Sequence, residues 1–174
     1  SLPMLDLSTA TRQDWLDYFN NTWTVSEVLY SGLHTEEPFF RPPVHGLRHP
    51  LIFYYGHTAC LFVNKLRVAG VLQEPVNAYL ESILETGVDE MSWDDMHKND
   101  MVWPTVAEVK EYRQTVYNIV KELIETHPEL ADDAPTVGQS SEMWAMVMGF
   151  EHDRIHTETS SVLIREMPIH LTQV

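Results

Sequence analysis

Three histidines stand at positions where they could bind one metal ion. His152 and His156 are four residues apart in the sequence Glu-His-Asp-Arg-Ile-His. On an α-helix this spacing puts both imidazoles on one face, about 6 Å apart at Cβ, so both can reach an ion at about 2.0–2.2 Å. His57 lies in a separate apolar segment. Because buried polar rings need partners, and bundles build metal sites from facing helices, the three histidines predict one divalent metal site.

The chemistry of such a site depends on its open positions. Three neutral imidazoles accept zinc, iron, nickel or manganese and leave room for water, substrate or oxygen, as catalytic sites require. Asp153 stands where the general base of His-Glu-x-x-His zinc peptidases would stand, but it is one methylene shorter, and we assign it no such role. Cys60, one turn after His57, is expected to be a small buried hydrophobe and not a ligand. His49 could sit at the mouth of the site.

Four segments with helical start and stop signals and a helical apolar period must position these side chains. They span residues 9–33, 49–69, 103–127 and 140–166. The first and third begin with capping boxes, Thr11 with Asp14 and Thr105 with Glu108. The last is expected to begin at Ser140–Ser141. In the last segment, Ala145, Met148, Gly149, Ile155, Thr159 and Leu163 are expected to share an inward face with the two histidines.

The fold that these segments predict is all-α, because no stretch shows the period-two alternation of a half-buried strand. We expect a four-helix bundle with a short extra helix within residues 74–85. A long acidic connection, residues 87–100, joins the second and third main helices. We interpret residues 1–174 as one domain. Because the chain starts at Ser1 without an initiator Met, we expect it to be a fragment or one half of a larger enzyme.

Charge and cysteine content exclude several classes of binding partner and indicate the cellular compartment. The chain has 26 Asp and Glu against 11 Lys and Arg, a net charge of −15, which repels nucleic acid and anionic lipid. No apolar run approaches the ~20 residues that cross a bilayer, so we expect a soluble protein without a membrane partner. The single cysteine forms no internal disulfide, and no signal peptide is evident. These features predict a cytoplasmic protein.

Longer stretches around the histidines resemble one family. They read LRHPLIFYYGHT at residues 47–58, NKL at 64–66, GVDEMSWDD at 87–95 and MGFEHDRIHTETSSVLIR at 148–165. These stretches resemble the N-terminal, DinB-like domain of the 5-histidylcysteine sulfoxide synthases of ovothiol biosynthesis, and the similarity covers nearly the whole chain. The resemblance implies a DinB-like bundle in which His57, His152 and His156 bind Fe(II). It implies no other cofactor.

The activity that the resemblance implies is that of an oxidoreductase. A non-haem iron enzyme would use oxygen to join the sulfur of cysteine to the imidazole of histidine, leaving a sulfoxide. Family members carry a second domain, like the formylglycine-generating enzyme, that supplies a catalytic tyrosine and much of the substrate pocket. These 174 residues contain no such domain, so we assign no catalytic residue and expect the isolated domain to be inactive. The acidic connection, with Trp93, Asp94 and Asp95, is our candidate for the surface that docks it.

Two other functions remain open at this stage. A metal-dependent thiol transferase or hydrolase of the same superfamily would use the three histidines to activate a thiol or water. A non-enzymatic module would only hold a metal or dock a partner. Metal identity separates the synthase from the transferase: iron with oxygen consumption indicates the synthase, and zinc or nickel with anaerobic activity indicates the transferase. Zinc or nickel could also occupy an iron site in a preparation.

Overall fold

The computed structural model describes residues 3–46, 48–85 and 102–172. Their α-helices are α1 (Arg12–Ser31), α2 (Glu37–Phe40), α3 (Leu51–Val68), α4 (Ala78–Leu84), α5 (Val106–Thr126) and α6 (Trp144–Arg165). Two short 3₁₀ turns follow α5 and α6, at Pro128–Leu130 and Ile169–Leu171. Extended pairing in these ranges is limited to one isolated bridge, between Leu33 and Thr172. The all-α prediction is therefore confirmed.

The first turns of α1 and α5 form as their sequences predict. In α1, the Asp14 carboxylate accepts a hydrogen bond from the Thr11 amide at 2.8 Å, and the Thr11 hydroxyl accepts one from the Asp14 amide at 3.3 Å. The same reciprocal pair joins Thr105 and Glu108, at 2.8 and 3.2 Å. Each box satisfies two amides that lack a partner inside the helix, which explains why the chain turns helical at these points.

The start of α6 differs from the prediction. The helix begins at Trp144, and Ser141 uses its hydroxyl to accept from the Gly138 amide at 3.0 Å instead of capping the helix. The carboxylate of Glu129, from the turn after α5, accepts from the amides of Glu142 at 3.2 Å and Met143 at 2.9 Å. A carboxylate from another segment thus holds the turn that precedes α6, while the Trp144 amide donates to the Ser141 carbonyl oxygen at 3.1 Å. No side chain caps the first turn of the helix.

One aromatic cluster joins the four long helices. Phe19 of α1 lies 6.0 Å from the ring of Phe62 on α3, 6.0 Å from Phe150 on α6 and 5.2 Å from Tyr117 on α5. Phe19, Phe62 and Phe150 are completely buried. Since one ring from each long helix meets at this cluster, α1, α3, α5 and α6 share a single core, as a four-helix bundle does.

Two glycines let helices approach α3 closely. At Gly149 on α6 an added Cβ would overlap the ring of Phe62, so the Phe62 ring of α3 packs directly on the backbone of α6. At Gly56 on α3 an added Cβ would lie 2.6 Å from the Cδ1 atom of Leu84, at the end of α4. The extra helix predicted within residues 74–85 is therefore present as α4, and it packs directly beside the turn that carries His57.

Two remaining predictions concern the connection and the membrane. The acidic connection predicted at residues 87–100 lies outside the described residues. Across the described ranges, every helix is too short or too polar to cross a membrane.

Replacing Gly149 with Ala tests the contact between α3 and α6. The added methyl overlaps Phe62, and overpacking of this kind costs about 1–3 kcal/mol, more than the ~1 kcal/mol that Ala gains over Gly in helix propensity. We expect a lower free energy of unfolding in chemical denaturation. Gly138→Ala is the control, because nothing lies within 4 Å of its added Cβ. Equal stability of the Gly149→Ala variant and the wild type would contradict the close contact.

Candidate metal centre

The structure brings the three predicted histidines together. His57 comes from α3, and His152 and His156 come from successive turns of α6. Their ligand nitrogens all lie within 4.8 Å of one another. The ring centroids are 4.8 Å apart for His57 and each partner, and 4.3 Å apart for His152 and His156. The three rings therefore face one common point.

The spacing of the nitrogens suits a shared ion. The Nε2 atoms of His57 and His152 are 3.1 Å apart. Two nitrogens at about 2.1 Å from one ion, with an angle of about 90–110° between them, lie about 3.0–3.4 Å apart. The triad could therefore hold a metal ion. Whether these histidines do bind one, and which metal it is, stay predictions.

The backbone of α4 sets the tautomer of His57. Its Nδ1 lies 2.6 Å from the carbonyl oxygen of Leu84, and because a carbonyl only accepts, Nδ1 must carry the proton. The lone pair of the neutral ring is then on Nε2, which faces the other two histidines. Histidines that bind metals commonly donate their other N–H in this way. The Nδ1 atoms of His152 and His156 have no hydrogen-bond partner among the described residues.

Burial keeps all three rings uncharged at neutral pH. Loss of solvent lowers the pKa of His57, and it lowers the pKa of His152 to about 2 and that of His156 to about 3. The neighbouring histidines lower the last two values further, since a second positive charge in the cluster is unfavourable. A neutral imidazole presents a free lone pair, which is the form that binds a metal.

Aromatic rings cover one flank of the triad. Phe53 is stacked on His57 with centroids 4.9 Å apart, and Tyr54 lies 5.6 Å from His156. His49, expected at the mouth of the site, packs on Phe53 at 4.3 Å and is thus separated from His57 by that ring. His57 and His156 are buried and His152 is half-buried, so solvent reaches the triad from the side of His152.

The two neighbours that we did not assign as ligands lie elsewhere. The Cys60 thiol faces the carbonyl oxygen of Glu81 at 3.7 Å and is outside the cluster of possible ligands. Burial raises its pKa to about 12, so it is a neutral thiol. Asp153 is completely buried in the bundle, away from the accessible side of the triad, which agrees with giving it no role as a general base.

The inward face predicted for α6 is partly wrong. Gly149 is buried as expected, but Met148 is 41% exposed and Ile155 is 58% exposed. The buried side of the helix is centred on Gly149, Asp153 and Ser160. His156 is buried within that side, whereas His152 lies at its edge, because it is rotated further from the centre on a helix of 3.6 residues per turn. The triad is therefore on the flank of the bundle and not at its axis.

Two groups that contact the α3 turn of His57 were not predicted from the sequence: the Leu84 carbonyl and Arg113. The carbonyl of Leu84 carries no signal in the side-chain pattern, so only the fold could identify it. Arg113 did carry a signal, because it lies between Val109 and Val116 on the apolar side of α5 and is 1% exposed. An arginine on the apolar face of an amphipathic helix indicates a buried charge that needs partners.

Fold and site together define an all-helical bundle with a buried three-histidine cluster that could hold a metal. The family model of the DinB superfamily matches residues 18–160, which include all four long helices in whole or large part and the three histidines. The chain belongs to the DinB superfamily. No curated protein sequence matches the chain.

Replacing any one of His57, His152 or His156 with Ala tests the centre directly. Loss of one ligand of three is expected to weaken binding of Fe(II) or Zn²⁺ by more than about 100-fold. The far-UV circular dichroism signal should stay helical, because a chain of this length buries a core without the ion. His170→Ala, at an exposed position, is the control. Metal content equal to wild type in all three variants would exclude the site.

The pH dependence of stability provides a second test on metal-free protein. The unfolded chain protonates its histidines near pH 6.5, whereas folded His152 and His156 resist protonation down to about pH 3, so stability is lost as the pH falls below 6.5. The pKa of His57 is also lowered by burial and acts in the same direction. Each histidine contributes about 1.4 kcal/mol per pH unit. Asp153 acts in the opposite direction, since burial raises its pKa to about 6.

Three histidines opposed by one carboxyl should give a net loss of stability between pH 6 and pH 4. Chemical denaturation at a series of pH values measures it. His156→Gln should reduce the slope by one histidine's contribution. An unchanged slope in that variant would contradict the buried, neutral state of His156.

Proposed function

We propose that the domain binds Fe(II) through His57, His152 and His156 and is the iron-binding part of an oxygen-dependent sulfoxide synthase of ovothiol biosynthesis. The observation that carries the proposal is the meeting of three neutral imidazoles at one point, in a chain whose sequence around them resembles that enzyme family. Superfamily membership supports a metal-dependent enzyme. The substrates would be cysteine, histidine and oxygen.

The neutral ligand set suits this chemistry. Bound Fe(II) would supply the redox chemistry with oxygen and a site for the thiolate of cysteine. Because the three imidazoles carry no charge, they leave the full positive charge of the ion to attract that thiolate. The residues of this chain would hold the ion and keep water from one flank: the Leu84 carbonyl orients His57, while Phe53 and Tyr54 cover the adjacent side.

Orienting the second substrate requires more than the triad. Holding two reactants in reacting geometry can be worth about 7–11 kcal/mol of barrier. The groups that flank the triad are mainly the rings of Phe53 and Tyr54, and the Tyr54 hydroxyl already accepts a hydrogen bond from the His49 amide at 3.3 Å. We therefore propose that a formylglycine-generating-enzyme-like domain, in the same or a separate chain, completes the pocket. The residues that we predict to dock it, 87–100, lie outside the described ranges.

A second candidate function rests on the same cluster. With zinc or nickel in place of iron, three neutral histidines and an open position would activate water or a thiol, which is the chemistry of a hydrolase or thiol transferase. A non-enzymatic, metal-holding module is the third possibility. For each of them we propose a cytoplasmic location, because the buried, unpaired Cys60 fits a reducing compartment.

The test is an assay of the isolated, iron-loaded domain with cysteine, histidine and oxygen. We expect Fe(II) binding and a spectral change on adding cysteine, but no sulfoxide, because the second substrate is not oriented. Adding a formylglycine-generating-enzyme-like domain as a separate chain should yield product. Sulfoxide at ~1 s⁻¹ from the isolated domain would show that it is complete in itself.

The same assay separates the alternatives. Anaerobic thiol transfer or hydrolysis by the zinc- or nickel-loaded protein, without oxygen consumption by the iron form, would favour the second function. Failure to bind Fe(II), Zn²⁺ or Ni²⁺ would exclude both enzymes. Metal-free protein from the same preparation is the control for adventitious oxidation of cysteine.

A further inference from the structure

Arg113 is a buried cation in the centre of the bundle. Its side chain is 1% exposed, and burying a charge is costly unless it is paired and hydrogen-bonded. Its Nε donates to the Glu27 carboxylate of α1 at 2.7 Å. Its guanidinium carbon lies 4.4 Å from the ring centroid of Trp23 and 4.6 Å from that of Tyr55. The ion pair and the two rings hold the guanidinium in one place.

A second nitrogen of Arg113, Nη1, reaches the turn of α3 that carries His57. Nη1 donates to the backbone carbonyl of Tyr55 at 2.7 Å and to the hydroxyl of Thr58 at 2.9 Å. Tyr55 is two residues before His57, and Thr58 is the next residue after it. A rigid planar guanidinium bound at both points restricts how that turn can rotate or slide.

Arg113 also attracts Asp153, on the turn of α6 that carries the other two histidines. Asp153 follows His152 directly and is completely buried. Its carboxylate and the Arg113 guanidinium are near enough to interact electrostatically. Attraction to Arg113 is the strongest effect that offsets burial of the Asp153 carboxylate, and the hydroxyls of Ser26 and Thr58 also favour its charged form. The same cation therefore acts on both helices that carry the triad.

We propose that Arg113 is a positioning residue for the metal site, which joins the α3 turn of His57 to the α6 turn of His152 and His156. This inference rests on the proposed binding of a metal by the triad. Binding sites need their ligands held within about 0.5 Å, which packing alone does not ensure. Apolar residues of similar volume often stabilise a core as well as a buried ion pair does. A charged group at this position is therefore better explained by the alignment of two helices than by stability.

The experiment compares substitutions that change the contact between Arg113 and Thr58 with a substitution that changes only stability. Thr58→Val removes the hydroxyl that accepts from Arg113 and keeps the shape of the side chain, while Thr58→Ser keeps the hydroxyl. Arg113→Lys retains the charge but loses the planar set of donors. Val120→Ala, two turns further along α5 at a completely buried position, is the stability control. Titration with Co²⁺, followed by its d–d absorption spectrum, measures affinity and ligand geometry together.

We expect Thr58→Val and Arg113→Lys to weaken Co²⁺ binding by about 10–100-fold and to change the absorption spectrum, as loss of supporting contacts around metal ligands does. Thr58→Ser, which keeps the hydroxyl, should have the Co²⁺ affinity and the absorption spectrum of the wild type. Val120→Ala should lower the melting temperature of the metal-free protein without changing affinity or spectrum. Wild-type affinity and spectrum in Thr58→Val and Arg113→Lys would overturn the positioning role of Arg113 but not the metal site. So would losses of affinity that follow melting temperature across all variants. Absence of Co²⁺ binding by the wild type would overturn the metal site itself.

Discussion

The close packing of α3 against α6 is the contact on which the candidate metal centre depends. Gly149 lies against Phe62, His152 against His57, and His156 against Tyr54, so the two helices run antiparallel in one register. A bulkier residue at position 149 would push the helices apart at one end of this series. Since all three histidines belong to these two helices, their convergence follows from the distance and register of a single helix pair.

Burial and access are balanced by the place of the triad on the flank of the bundle. At the axis, where Phe19 and Phe150 meet, rings would be sealed from substrate. On an exposed face, histidines would be partly charged near neutral pH and would bind metals less well. Burial keeps the imidazoles neutral. His152, at the edge of the buried side of α6, leaves one side of the triad accessible. This position suits a site that must admit a ligand.

Polar contacts supplement the aromatic core by fixing how the helices align. Besides Arg113, the side chain of Arg154 on α6 donates to two side chains of α1, the Thr22 hydroxyl at 2.9 Å and the Asn21 amide oxygen Oδ1 at 3.2 Å. Tyr30 donates to the buried hydroxyl of Ser160 at 3.1 Å. Apolar contacts are non-directional, whereas hydrogen bonds and ion pairs require particular geometries. These directional contacts fix how the helices that carry the three histidines are aligned.

The sequence by itself determined the local features: the all-α class, the capping boxes of α1 and α5, the short α4, and the i, i+4 pair of His152 and His156. These features depend on residues a few positions apart, which a helix places by its own geometry. Tertiary structure decided the rest. The carboxylate of Glu129, and not a serine hydroxyl, accepts from the amides of Glu142 and Met143 just before α6. The Leu84 carbonyl, 27 residues from His57, sets the tautomer of that histidine. Tertiary structure also left Met148 and Ile155 exposed. The helical period shows which residues share a side of a helix, but only packing against other helices decides how much of that side is covered.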